Sequence, residues 1–440
     1  MIVFENVRLL HFSPGSVSGP TDIAVEGSKI VAVGPSLAAA YPKAERRSPG
    51  GYVSPGLVCS HNHFYSALAR GLMVNVAPSK DFAQQLAHLW WRLDRALDEG
   101  ITRASGYAGA AEAVRWGVTS VVDHHASPEF IDGSLDVLSE GFEAVGLRGI
   151  LCYEATDRNG MDGARAGVAE NLRWAKAVDA KRAAGKDVLV EAAIGAHAPF
   201  TVGDDTLKAL AEAVRASKRG LHIHVAEDKF DAVHSRHEHG KDICRRLDDA
   251  GLLDAKTILG HGLYLSPEEI ELVNERDAFL AHNAQSNMNN NVGYNHQLPL
   301  YKNAVLGTDG IGSDMLASAC FAFFKHHDAG GSLWMDAFLS MLQNGNRLLE
   351  RYFPGKRFGR IEAGYEADLA FWDYEPPTPL LDGNVAGHAA FGMNSAMVKS
   401  TMVAGKCVIE DRKATFDYAA AMAKGREQTL RLWKRMEERK

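Results

Sequence analysis

Hydrophobic and polar positions divide the chain into regions of different periodicity. Residues 1–55 contain short hydrophobic stretches separated by turn residues, such as MIVFENVRLL and TDIAVEGSKIVAVGP. Gly27 and Ser28 interrupt the second stretch, and this residue pair is typical of a hairpin turn. The pattern predicts β-strands at the beginning of the chain.

From Pro55 to about Asp309, short apolar runs alternate with longer stretches of helical periodicity, such as DFAQQLAHLWWRLDRALDE and TRASGYAGAAEAVRWG. Eight apolar runs are predicted to be strands: GLVCSH, VTSVVDHH, LRGILCYEAT, VLVEAAIGAH, GLHIHVAE, KTILGHG, AFLAHN and AVLGTDG. Repeated strand–helix units predict a parallel sheet, and eight of them fit a (β/α)8 barrel. A doubly wound open sheet is the alternative, but no GxGxxG turn follows any of these runs.

Strand periodicity returns near the end of the chain, in GRIEAGYEADLAFWDY and STMVAGKCVIEDRK. Because strand-rich segments at the two ends can pair, we predict an α/β protein: a (β/α)8 barrel with a small β-sandwich built from both chain ends. The predicted domains are residues 1–55 and 360–418 for the composite sandwich, 56–359 for the barrel and 419–440 for an amphipathic C-terminal helix.

Composition and charge narrow the classes of partner. The formal net charge of −7 argues against nucleic acid or an anionic membrane as a partner. No apolar run approaches the roughly 20 residues that span a bilayer, and the N-terminus lacks the features of a signal peptide. The five cysteines are scattered and never in CxxC spacing, which predicts a cytoplasmic location and no thiolate zinc site.

Side chains that can bind metals or transfer protons follow nearly every predicted barrel strand. In such a barrel the C-terminal strand ends meet on one face, so residues distant in sequence are expected to share a pocket. One histidine in such a position is often only a loop residue, but this many placements favour a common site. These residues are His61, His63, Asp123, His124, His125, His197, His222, His224, Glu227, His261, His282 and Asp309.

His61 and His63 form an HxH pair at the end of the first predicted barrel strand. Side chains at positions i and i+2 of a strand point to the same side, so both imidazoles can reach one ion. Two imidazoles, a third imidazole and a carboxylate suit zinc or another divalent transition metal, with a position left for water. Such an ion makes water a usable nucleophile, and a nearby carboxylate can carry its proton to a leaving nitrogen.

The set of motifs resembles the amidohydrolase superfamily, in the branch of metal-dependent aminohydrolases that includes guanine, cytosine and S-adenosylhomocysteine deaminases and triazine hydrolases. The motifs are PGLVCSHNH, HVAE, LGHG, SNM, LGTDG and GRIEAGYEADL, and the resemblance covers essentially the whole chain. Within this branch the sequence resembles the SsnA-like aminohydrolases, through CSHNHFYS, LWWRLDRALDE, DHHASP, GAHAPFTV, SNMNNNVGYNH and GTDGIGSD.

The resemblance implies a set of metal ligands. They are His61, His63, His224 and Asp309. The family spacing H-x-x-E selects His224 rather than His222, because Glu227 is the third residue after His224, and His222 becomes a buried neighbour of the site. The implied cofactor is one divalent metal ion per subunit, with Zn2+ first and Fe2+ or Mn2+ as alternatives. A single ion is favoured because VLVEAAIGAH lacks the lysine that bridges two metals in the binuclear branch.

Catalytic and substrate-binding roles also follow from the resemblance. Glu227 matches the proton shuttle to the leaving group, His261 matches the residue that polarises the attacking water, and Asp309 contacts the same water. His197 matches a substrate-contacting histidine. Three further residues are candidates either for substrate contact or for a structural role: His125, Asn287 and Trp90.

The predicted function is hydrolysis of a non-peptide carbon–nitrogen bond in a purine-like or related nitrogen heterocycle. Hydrolytic deamination by a metal-activated hydroxide is the leading reaction. Ring opening of a cyclic amide or amidine, triazine-type dehalogenation and a non-catalytic scaffold are the alternatives. The predicted partners are the small-molecule substrate and water, with no nucleic acid and no membrane, and the resemblance implies a homodimer or larger homo-oligomer.

Overall fold

The computed structural model describes residues 1–439, and eighteen strands in this range form three sheets. The strands before the barrel are β1 (Ile2–His11), β2 (Ser16–Glu26), β3 (Lys29–Gly34), β4 (Glu45–Arg47) and β5 (Tyr52–Pro55). The barrel strands are β6 (Leu57–Asn62), β7 (Val118–His125), β8 (Arg148–Tyr153), β9 (Val190–Ala192), β10 (Ile194–Ala196), β11 (Leu221–Val225), β12 (Ile258–His261), β13 (Phe279–His282) and β14 (Ala304–Leu306). The strands after the barrel are β15 (Leu369–Trp372), β16 (Val398–Val403), β17 (Lys406–Glu410) and β18 (Lys413–Ala414).

The barrel has the eight parallel strand positions that the sequence predicts. Ala193 divides the fourth position into β9 and β10, and the barrel strands form two parallel sheets, β6 to β9 and β10 to β14. A parallel bridge between Ala155 and Ala196 joins the two sheets at one junction. At the other junction Asn62 is bridged to Asp309, so the strand ends form a closed ring.

Helices follow most of the barrel strands, while one short helix lies among the N-terminal strands and two come after β15. They are α1 (Leu37–Ala40), α2 (Phe82–Gln85), α3 (Trp91–Asp94), α4 (Glu99–Arg115), α5 (Ser134–Val145), α6 (Gly160–Ala183), α7 (Asp204–Ser217), α8 (Lys229–His239), α9 (Ile243–Asp249), α10 (Pro267–Glu275), α11 (Ala284–Asn289), α12 (Met315–Asp328), α13 (Met335–Tyr352), α14 (Val385–Phe391) and α15 (Tyr418–Glu438). A π-helical turn (Leu86–Trp90) connects α2 and α3, and 3-10 turns lie at Phe64–Ala69, Asp157–Asn159, Pro199–Thr201, Leu298–Leu300, Asp382–Asn384 and Ser395–Met397. Among residues 1–439, no helix combines the length and the apolar character needed to cross a membrane.

Strands from the two chain ends form one nine-stranded sheet beside the barrel. Its order is β18-β17-β16-β15-β5-β1-β2-β3, with β4 paired to β1. The antiparallel pairing of β5 with β15 connects the N-terminal strands to the C-terminal strands. The prediction of a (β/α)8 barrel with a small β domain from both ends is confirmed, and the predicted sandwich strands are all linked in this sheet. The exact domain boundaries stay a prediction.

The interior of the barrel has an apolar layer and a polar layer. Side chains of Val58, Val122, Ile150 and Phe279 are buried together with residues from the end of α13 and the segment after it, such as Phe353. This layer fills the lower part of the barrel. The polar strand-end side chains are therefore confined to the C-terminal face, where the cavities of such barrels lie.

Candidate active site

Four of the strand-end residues meet at the C-terminal face of the barrel. His61 is on β6, His63 follows it, His224 is on β11 and Asp309 follows β14. One donor atom from each side chain lies within 4.8 Å of the other three, and all four residues are buried. His63 Nε2 lies 3.1 Å from His224 Nε2 and 2.7 Å from Asp309 Oδ1. His61 Nε2 lies 3.2 Å from the same carboxylate oxygen.

Backbone hydrogen bonds determine which ring nitrogen of two histidines faces this centre. His63 Nδ1 donates to the carbonyl of His124 at 2.6 Å, and His224 Nδ1 donates to the carbonyl of His197 at 2.9 Å. A carbonyl oxygen only accepts hydrogen bonds, so each Nδ1 carries a hydrogen. In the neutral rings, Nε2 of both histidines therefore offers a lone pair to the centre.

These four facing acceptors fit a divalent metal ion. Burial lowers the pKa of His63, but the Asp309 carboxylate raises it to about 9, so a proton can bridge this one pair. His61 Nε2 lies 3.2 Å from Asp309 Oδ1 but is buried without a hydrogen bond among the described residues. A divalent cation would satisfy all four acceptors at once, and three imidazoles with one carboxylate are ligands that zinc accepts. His61, His63, His224 and Asp309 could therefore hold a metal ion.

Asp309 is held in place by its neighbours. Its backbone φ is +53°, a value that is uncommon for residues other than glycine. The Asp309 N–H donates to the carbonyl of His61 at 3.1 Å, and its Oδ2 accepts a hydrogen bond from the Ser286 hydroxyl. These bonds leave Oδ1 directed at the histidines.

Glu227 and His261 lie beside the four acceptors. Glu227 Oε2 is 3.5 Å from His261 Nε2, and Glu227 Oε1 accepts a hydrogen bond of 3.3 Å from Asn290. Burial raises the pKa of Glu227 to about 7, so its carboxyl group can take up or release a proton near neutral pH. His261 Nδ1 donates to Asn287 Oδ1 at 2.8 Å, which directs Nε2 toward the site.

A partly enclosed cavity opens next to these groups, lined by aromatic rings and by carboxyl groups. Two of the predicted substrate-contacting residues, His197 and Trp90, line this cavity. The His197 ring is held by a hydrogen bond of 2.7 Å between Nδ1 and the hydroxyl of Thr201. Phe200 and Phe230 belong to the apolar part of the wall.

His125 and Asn287 lie outside the walls of this cavity. His125 is fully buried, and its Nε2 is hydrogen-bonded to the Ser127 hydroxyl at 2.9 Å. The side-chain oxygen of Asn287 is occupied by the N–H of His261. The structure therefore does not bring these two predicted substrate contacts to the cavity, because their hydrogen bonds hold them behind its walls.

Glu154 and Asp94 line the cavity but are not among the residues selected from the sequence. Glu154 directly follows β8, so the strand-end criterion could have identified it; Asp94 is at the end of α3, where no such signal exists. Glu154 Oε2 and Asp94 Oδ1 are buried without a hydrogen-bond partner in residues 1–439. Arg158 pairs with the other Asp94 oxygen at 2.5 Å and lies over the ring of Trp91.

The sequence and the fold both have known relatives. The family model of the amidohydrolase family matches residues 52–408, and the chain belongs to this family. The chain is 27% identical to 5'-deoxyadenosine deaminase from Methanopyrus kandleri, with 82% of each chain covered. It is 30% identical to 5-methylthioadenosine/S-adenosylhomocysteine deaminase from Thermococcus onnurineus, with 89% of this chain and 90% of the relative covered. The structure is similar to the crystal structure of an adenosine deaminase from Xanthomonas campestris with bound zinc, with a TM-score of 0.82, 23% identity and 98% of each chain covered.

These relationships confirm the predicted family and reaction class. The protein is a metal-dependent hydrolase that acts on carbon–nitrogen bonds of a small nitrogen-containing molecule and consumes water. The roles of individual side chains stay predictions and are developed below.

Proposed function

We propose that the protein hydrolytically deaminates the adenine ring of adenosine-type nucleosides and uses one zinc ion. The observation that carries this proposal is the group of four buried acceptors beside a cavity with aromatic walls. The named activities of two relatives that cover more than four-fifths of the chain support the substrate class. His61, His63, His224 and Asp309 would hold the ion. The homo-oligomeric state and the cytoplasmic location inferred from the sequence stay predictions.

The side chains around the centre can supply the proton transfers of a deamination. A bound zinc ion would lower the pKa of a water molecule, which could then lose a proton near neutral pH and attack an electrophilic ring carbon. His261 Nε2, held by Asn287, can accept a hydrogen bond from that water. Glu227 can take the proton and deliver it to the departing amino nitrogen, since its pKa of about 7 permits both steps.

The cavity walls offer groups that suit a nucleoside. Trp90 contributes an apolar ring surface, and aromatic rings stack favourably on heterocycles. The unpartnered oxygens of Asp94 and Glu154 can accept hydrogen bonds from hydroxyl or amino groups. Because unpaired buried acceptors are costly, a substrate with donors at these positions should bind better than one without them.

Six carboxyl groups line the cavity: Asp94, Glu154, Glu227, Asp228, Asp231 and Asp309. No lysine or arginine of the described residues lines it. We expect a 5'-phosphate on the substrate to lower kcat/KM by about 100-fold or more, because burial of a phosphate without a cationic side chain beside it is costly. The measurement is ammonia release from adenosine and from adenosine 5'-monophosphate by the zinc-loaded protein. Equal kcat/KM values for the two compounds would contradict the expectation.

The reaction type is tested by mass spectrometry of products from a panel of purine nucleosides, pyrimidines, hydantoins and triazines. We expect adenosine-type nucleosides to exchange an amino group for oxygen, with one ammonia released for each turnover, because Glu227 lines the cavity and would protonate the departing nitrogen. Products that gain a whole water without ammonia would instead identify ring opening and would refute the proposed deamination.

A further inference from the structure

Among the three histidines proposed as ligands, His61 is the one held by another side chain. His63 and His224 donate from Nδ1 to backbone carbonyls. His61 Nδ1 instead lies 2.8 Å from Nε2 of His222, and both rings are fully buried. A substitution cannot remove a backbone carbonyl, but it can remove the His222 ring. The orientation of His61 is therefore open to a mutational test.

On the side of His61 that faces away from the four acceptors, the hydrogen bonds form a chain in which each group donates to the next. If His61 Nε2 offers its lone pair to the centre, the ring hydrogen lies on Nδ1 and is donated to His222 Nε2. His222 then carries its own hydrogen on Nδ1, which lies 3.7 Å from Cys152 Sγ. The thiol hydrogen of Cys152 can reach the carbonyl of Asp123, since Sγ lies 3.7 Å from that oxygen. Every donor in the chain has an acceptor, and the chain ends at the backbone.

This chain is buried inside the barrel and contains no carboxylate. His61, His222 and Cys152 have no exposed surface. Burial of an ionised group at this depth costs free energy unless a charged partner is present. A neutral imidazole and a neutral thiol avoid this cost. A neutral acceptor also polarises His61 less than a carboxylate would, and it therefore leaves more of the positive charge of a bound ion available.

We propose that His222 and Cys152 are positioning residues that hold His61 in the tautomer and ring orientation needed to bind the metal ion. The inference rests on the proposed role of His61 as a ligand. The partner of a ligating histidine's second nitrogen determines both its tautomer and its basicity, and loss of such a partner costs about 10- to 100-fold in metal affinity.

The test compares variants of the two positioning residues. His222→Leu removes the acceptor, whereas His222→Gln keeps an oxygen that can accept the His61 hydrogen. Zinc affinity is measured by competition with a chelator, and the geometry of the site is monitored by the absorption spectrum of the cobalt-loaded protein. We expect His222→Leu to lower zinc affinity about 10- to 100-fold and to change the cobalt spectrum, and His222→Gln to recover part of the affinity. Cys152→Ala should cause a smaller loss than His222→Leu, and Cys152→Ser should remain near wild type.

Cys244→Ala is the matched control, because Cys244 is a fully buried cysteine on α9 that is not part of this chain. It should leave zinc affinity and the cobalt spectrum unchanged. If folded His222→Leu protein has wild-type zinc affinity and a wild-type cobalt spectrum, the inference is wrong. If His222→Leu does not fold, Cys152→Ala decides, and wild-type zinc affinity in that variant would overturn the inference.

Failure of the proposed function has a different signature. If His61→Ala binds zinc as tightly as the wild type, the ligand assignment fails and this inference fails with it. If His61→Ala loses zinc but both His222→Leu and Cys152→Ala keep it, only the role of the positioning residues is refuted.

Discussion

His61→Ala will lose its bound metal ion, and its kcat/KM will fall by about three orders of magnitude or more. The physical reason is that the ion would lose one of four ligands, and the activation of water that it supplies is worth several kcal/mol. His61 Nε2 makes no hydrogen bond among the described residues and lies 3.2 Å from Asp309 Oδ1, so it is free to bind a cation together with that oxygen. The measurements are metal content by elemental analysis after extensive dialysis and the rate of ammonia release from adenosine.

The control for His61→Ala is His125→Ala. Both histidines are fully buried on barrel strands, but His125 bonds to Ser127 and is not one of the four facing acceptors. A folded His125→Ala protein should therefore keep its metal ion. Circular dichroism of both variants excludes unfolding as the cause of a loss. Retention of stoichiometric metal and of activity in His61→Ala would refute the ligand assignment.

Glu227→Gln should keep the metal ion but lose activity by about two to four orders of magnitude, because a glutamine cannot carry a proton. The substitution preserves the size of the side chain and the oxygen that accepts the hydrogen bond from Asn290. We expect the loss in kcat with little change in KM, since Glu227 would act in the chemical step rather than in substrate binding. Metal content and steady-state kinetics with adenosine provide the measurements.

The matched control for Glu227→Gln is Asp228→Asn. Asp228 is the next residue, lines the same cavity and caps α8 by accepting a hydrogen bond from the Phe230 N–H at 2.9 Å. Asparagine is also a good helix cap, so this variant changes charge at nearly the same place without removing the proposed proton shuttle. Wild-type kcat in Glu227→Gln, or an equal loss in Asp228→Asn, would show that Glu227 is not the proton carrier.

The two variants separate two properties of the site. His61→Ala is expected to abolish metal binding and activity together, whereas Glu227→Gln is expected to abolish activity alone. This difference follows from their positions, because His61 is one of the four facing acceptors and Glu227 lies beside them, next to His261. A result in which both variants lose the metal would mean that Glu227 also stabilises the centre.

Local periodicity in the sequence was sufficient to predict the fold. Alternation of short apolar runs with helical stretches predicts eight parallel strand positions, because strands and helices bury one face at different spacings. The C-terminal ends of barrel strands meet on one face, so the sequence also predicts that residues from β6, β11 and the segment after β14 lie close together. His61, His63, His224 and Asp309 are therefore adjacent in the structure, as the sequence predicts.

The contacts around these residues depend on the three-dimensional packing. Asn287 was a candidate either for substrate contact or for a structural role, and its oxygen accepts the hydrogen of His261. Glu154 was not selected, although it lines the cavity with an unpartnered oxygen. Neither result follows from spacing along the chain, because a side chain's partners come from elements far away in sequence.

The sequence by itself determined the class of this protein. It shows which residues stand at the ends of the barrel strands, and these residue types define the chemistry that they can perform together. Only the tertiary structure decided how each side chain is oriented, such as the contact of His61 with His222 across 161 positions of the chain. The physical reason is that periodicity reports which face of an element is buried, whereas a hydrogen bond depends on distance and direction between atoms. These are set only when the strands close into a barrel.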